Sequence, residues 1–69
     1  MNRYDEPCEL DVTIKAVTDR AILVRPDDDP ELEAWLPKSM IWERDCKYKR
    51  GARGTIVIPE DLARKKDLA

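Results

Sequence analysis

Apolar and polar residues alternate most strictly over Leu10-Asp11-Val12-Thr13-Ile14-Lys15-Ala16, where every even position is apolar. A period of two turns one face of a strand toward a core and the other toward water. Thr18-Asp19-Arg20 interrupts the pattern, and Ala21-Ile22-Leu23-Val24 resumes it as a short apolar run. Two strands joined by so brief a turn predict a hairpin.

Pro26-Asp27-Asp28-Asp29-Pro30 is the plainest loop, since prolines bracket three aspartates that repel one another in any compact element. Leu32-Glu33-Ala34-Trp35-Leu36 then alternates again and predicts a third strand paired back on the second, stopped by Pro37. Lys38-Ser39 turns the chain into a shorter segment, Met40-Ile41-Trp42-Glu43. Thr55-Ile56-Val57-Ile58 predicts a last strand that is central or covered on both faces. Pro59-Glu60-Asp61 opens a helix, with proline at its first position, acids in its first turn and Arg64, Lys65 and Lys66 toward its end. Leu62 is its expected anchor.

The fold class that follows is mainly β: a small five-stranded antiparallel barrel or curled sheet, SH3-like or OB-like, with a short C-terminal helix. Residues 1–8 read as an N-terminal arm and residues 9–69 as a single domain. With 69 residues in all, the core is small and is worth only about 3–5 kcal/mol.

Composition narrows the chemistry. The chain has no histidine, which excludes His-based triads, His-containing zinc sites and histidine pH switching. Cys8 and Cys46 stand 38 residues apart with no Cys-x-x-Cys pair, so neither a four-cysteine zinc site nor a dithiol motif is available. They read as two reduced thiols, or else as one disulfide clipping the arm to the middle of the chain. Asp27-Asp28-Asp29 lacks the glycine and terminal glutamate of a calcium loop. No metal, cofactor or catalytic residue is expected, and the chain does not read as an enzyme. The start, Met1 to Cys8, lacks an apolar stretch behind a basic one, so no signal peptide is expected. The longest apolar run is far below the roughly 20 residues of a membrane helix. A cytoplasmic protein without membrane contact is the expectation.

The net charge of −2 hides a segregated layout. Asp27, Asp28, Asp29, Glu31 and Glu33 are five acids without a base, whereas Arg44, Lys47, Lys49, Arg50 and Arg53 face one acid, Asp45, for a local +4. Such a dipolar surface can orient a protein on a partner; two solvated loops are the plainer account. Trp35 shares a strand face with Glu33 and is therefore expected to be at least partly exposed, a candidate anchor beside the acidic loop. The more general reading of both Trp35 and Trp42 in so small a fold is as parts of the core. Lys47, Tyr48, Lys49, Arg50 and Arg53 interleave an aromatic with cations, a pattern that grips phosphates while a base stacks. Gly51-Ala52-Arg53-Gly54 matches G-x-x-G, but as a lone match leading straight into a strand it reads better as a glycine-assisted hairpin.

Trp35-Leu36-Pro37-Lys38-Ser39-Met40-Ile41, placed after Ala21-Ile22-Leu23-Val24, resembles a group of short bacteriophage and prophage proteins with a W-[I/L]-P-K-S-x-I turn. Their late T-[I/V]-V-[I/V]-P-E segment is matched by Thr55-Ile56-Val57-Ile58-Pro59-Glu60, with Lys65-Lys66 and Leu68 beyond. The resemblance spans residues 10–69 and implies a mobile-element origin; it brings no catalytic or binding residues. The first functional expectation is thus a phage-borne protein that binds and inhibits a bacterial host protein or complex, of the anti-defence or anti-CRISPR kind, with Asp27, Asp28, Asp29, Glu31 and Glu33 imitating phosphates. The alternative is a single-stranded nucleic-acid-binding accessory module built on residues 44–53. A third reading is a structural subunit or homodimer, joined through the fifth strand or the terminal helix.

Overall fold

The alternation that begins at Leu10 belongs to a longer strand than the pattern alone marks. In the computed structural model, which describes residues 6–68, β1 runs Pro7–Val17. Pro7 and Cys8, assigned to an N-terminal arm above, pair with Pro59 and Ile58; residues 1–5 lie outside the described residues. Val12 and Ile14 are fully buried, as their even positions require. The register shifts between Ile14 and Ala16, so Lys15 is an extra residue and Ala16 pairs with Leu23. This bulge reverses the alternation. Ala16 moves to the face that Thr13 and Arg25 share, and Val17 packs against the core in its place.

A turn stitched by Thr18 leads into β2, Ala21–Pro26. The Thr18 hydroxyl accepts from the Ala21 amide at 3.1 Å and donates to the Ala21 carbonyl at 3.1 Å. The aspartate loop then folds as two successive turns, Asp29 N–H to Pro26 O at 3.3 Å and Leu32 N–H to Asp29 O at 3.1 Å. These turns consume the chain through Leu32, so β3 covers only Ala34–Pro37 and not residues 32–36. A 3₁₀ turn over Lys38–Met40 follows, which leaves just Glu43–Arg44 for β4 in place of residues 40–43. β5 is Arg53–Pro59, flanked by β1 and β4 and therefore central, as its β-branched run implies.

The five antiparallel strands form one sheet in the order β3-β2-β1-β5-β4. β3 and β4 follow one another in the chain yet lie at opposite edges, and they are not paired. The sheet is therefore open rather than a closed barrel. Its inner face carries Val12, Ile14, Ile22, Val24, Leu36, Ile56 and Ile58, all fully buried. Cys46, Ile41, Tyr48 and Ala52 from the β3–β5 connection pack over them.

The helix α1 spans Glu60–Lys65 and packs on β1 and β5. Pro59 is its N-cap rather than its first residue. Ala63, not Leu62, is its fully buried anchor, with Leu62 and Leu68 packed beside it. The Leu68 amide donates to Ala63 O at 2.7 Å and the Asp67 amide to Arg64 O at 3.2 Å, with Asp67 at φ 59°. That pair of bonds is the Schellman closure of a helix end.

Candidate interaction surface

One face of the sheet has no layer over it, and register fixes what it displays. Trp35, Leu23 and Ala16 form a row across β3, β2 and β1. Arg25, Thr13 and Arg53 form the next row across β2, β1 and β5. Beyond it Asp11 stands opposite Thr55, and Glu9 and Glu43 both oppose Val57. The face thus passes from an apolar corner through a cationic row to acids.

Trp35 is 45% exposed and Trp42 47% exposed. Neither is a core residue. In a strand that buries Ala34 and Leu36, Trp35 can only point outward, whereas Trp42 lies beside a strand of two residues.

Asp27, Asp28, Asp29, Glu31 and Glu33 are all exposed, the first four in the β2–β3 turns and Glu33 just ahead of β3. The fold adds acids to them. Glu9 and Asp11 share a cleft of about 210 Å³ with Asp27 and Asp28, and Glu9, Glu43 and Asp45 line another of about 360 Å³. In the sequence Asp11 stands out only as a polar position of the first alternation, and Glu9 precedes that pattern. Two of the acids also have structural duties. Asp11 Oδ1 accepts from the Thr55 hydroxyl at 2.6 Å, and Asp45 Oδ1 accepts from the Thr55 amide at 2.6 Å.

The basic segment is divided by the fold. Arg53 lies on the outer face, where its guanidinium meets the Asp27 carboxylate at 3.2 Å. The two oppositely charged segments therefore touch. Lys47, Lys49 and Arg50 are exposed, but Tyr48 is half-buried. The Arg44 guanidinium lies 4.1 Å and the Lys38 ammonium 5.1 Å from its ring centroid. A ring already engaged by two cations and packed on the core is not an open platform for a base. Gly51, at φ 88°, closes the loop, and its amide donates to Ile14 O at 2.7 Å.

Cys8 and Cys46 are both free. Burial, reinforced by the Glu60 carboxylate, pushes the Cys8 thiol up. Burial and Asp45 push Cys46 up, against the opposing pull of Arg44 and a backbone hydrogen bond. A thiol held protonated is a poor nucleophile. Among the described residues no group of three or more carboxylates and thiols is placed to hold a metal ion, and no helix is long and apolar enough to cross a membrane. Comparison of the chain with protein-family models, curated proteins and solved structures finds no match.

Proposed function

We propose that this chain is a non-enzymatic, phage-borne interaction protein that binds a bacterial host protein machine in the cytoplasm and blocks it, as an anti-defence or anti-CRISPR inhibitor does. The observation that carries the reading is Trp35, 45% exposed on an uncovered sheet face next to the acidic turns. A large rigid aromatic held outward by a strand is the kind of anchor around which protein interfaces concentrate their energy. The acids beyond the cationic row of the same face supply the second half of the argument. Asp27 stands beside Asp11 on the neighbouring strand, its amide donating to Asp11 O at 2.9 Å, and Glu9 lies two residues further along β1 on the same face. The acids of the turns thus continue onto the sheet as a negative strip that a phosphate-binding surface would recognise. A basic nucleic-acid channel on the target is the complementary surface.

The test is inhibition by the triple variant Asp27→Ser, Asp28→Ser, Asp29→Ser and by Trp35→Ala, against a host complex captured on the wild-type chain. Both variants are expected to lose inhibition while melting within about 3 °C of wild type, because exposed positions contribute little to stability. Full inhibition by the triple variant would sink the mimicry. Exposed Lys47, Lys49 and Arg50 keep the nucleic-acid module as the second reading. Its signature is salt-sensitive anisotropy of a labelled single strand. The homodimer reading loses one of its two routes, since β5 has β1 on one side and bonds from Trp42, Asp45 and β4 on the other.

A further inference from the structure

The middle row of the outer face holds a site of a different sign. Arg25 and Arg53 both stand opposite Thr13, one from each neighbouring strand. Two strand spacings put their backbones on the order of 10 Å apart, a span from which two long guanidinium side chains converge on one anion. Between them lies a cleft of about 320 Å³ lined by Thr13, Arg25, Pro26, Asp27, Pro30 and Arg53. Its charge is unbalanced. Arg53 is paired with Asp27, whereas Arg25 has no ion-pair partner among the described residues. Two guanidiniums against one carboxylate leave a surplus of one positive charge. The cleft also shows what it accepts, because the Asp27 carboxylate already sits 3.2 Å from Arg53. Exposed Pro30 adds a rigid apolar wall against which the methylenes of an acidic side chain can lie.

We propose that this cleft binds a carboxylate side chain of an acidic peptide segment on a protein partner. Arg25 holds the incoming carboxylate, Thr13 adds a neutral hydroxyl donor, and Arg53 divides itself between the ligand and Asp27. Asp27 is then an internal competitor that sets the affinity. The site borders the acidic surface, which seeks bases, and shares Asp27 with it, so the two respond oppositely to the same change. Removing Asp27 weakens an acidic mimic and strengthens this cleft.

The experiment is an amide and arginine Nε–H NMR titration of the full chain, at low salt, with acetylated and amidated tetraglutamate and with tetraglutamine. Saturable shifts centred on Thr13, Arg25 and Arg53 are expected with tetraglutamate only. Arg25→Gln is expected to weaken binding about tenfold, and Asp27→Asn to tighten it about two- to fivefold. Asp19→Asn makes the same change of charge in the turn at the other end of β2 and is expected to leave affinity unchanged. Equal shifts with tetraglutamine, shifts centred on Lys47, Lys49 and Arg50, or no tightening in Asp27→Asn would overturn the proposal. So would inorganic phosphate binding at the three residues while tetraglutamate leaves them unmoved.

Discussion

A glycine can be indispensable because of what lies against it rather than because of its torsion angles. Gly54 sits in β5 opposite Val12, and a Cβ built there would run into the Asp45 carboxylate and stand 2.7 Å from Cys46 Cβ. Asp45 cannot simply swing aside, because its Oδ1 holds the Thr55 amide at 2.6 Å. Gly54→Ala is therefore expected to destabilise the fold by about 2–3 kcal/mol, the cost of overpacking together with a strained or lost hydrogen bond. In a domain of this size that lowers the melting temperature by on the order of 10 °C. Gly51→Ala, at open space but positive φ, is expected to cost about 1 kcal/mol. Thermal melts of the two variants side by side separate crowding from torsional strain. Neither role was legible in Gly51-Ala52-Arg53-Gly54 beyond the need for a turn. The sequence shows where glycines are, but the neighbour that forbids a methyl arrives from Asp45 and Cys46 only when the strands pair.

Among elements, those set by local periodicity were readable and those set by register were not. The β1–β2 hairpin, the central β5 and a helix after Pro59 follow from apolar spacing and from residues that start or stop an element. Barely two residues of β4 form a strand, since the 3₁₀ turn at Lys38–Met40 uses the chain that alternation assigned to it. The bulge at Lys15 carries no local signal, although it decides that Ala16 faces out and Val17 in. Arg25 carries no local signal for the same reason, because its significance comes from standing in one row with Thr13 and Arg53. Trp35 was legible through its parity with Glu33, yet its exposure needed Ala34 and Leu36 to be confirmed as the buried pair. The end of α1 offers a direct check on element-scale reasoning. Asp67 holds the left-handed position of the Schellman closure at φ 59° without glycine's freedom there. Asp67→Gly is expected to stabilise the protein by about 0.5–1 kcal/mol, and Asp67→Val to destabilise it, as read from urea midpoints at constant m.

For the whole molecule the decisive feature is how an open sheet of this size keeps its two edges from parting. β3 and β4 share no hydrogen bond, yet Lys38 follows the first and Arg44 lies in the second, and both place their cations over Tyr48. The ring, packed against the core from the connection between β4 and β5, thus ties the two edges through side chains where a barrel would use backbone. The Arg44 guanidinium is held in place by donating to Cys46 O. A closure of this kind depends on the aromatic ring and not on its hydroxyl. Tyr48→Phe is accordingly expected to cost less than about 0.5 kcal/mol, since the cation–π contacts and the buried area survive. Tyr48→Ala is expected to cost about 2–3 kcal/mol, somewhat below a fully buried aromatic because the ring is half-exposed. Much of a core worth about 3–5 kcal/mol would then be gone, and the amides that pin β4 would exchange first as the edge opens. Urea denaturation with hydrogen exchange followed at Trp42 and Asp45, whose amides bond Val57 O and Thr55 O on either side of β4, tests this. If Tyr48→Ala melts with wild type and leaves β4 protected, the edges are held by the short connection alone and the ring is incidental. The expected outcome also bears on binding, because it makes Tyr48 a fastener whose removal for a stacking base would open the fold.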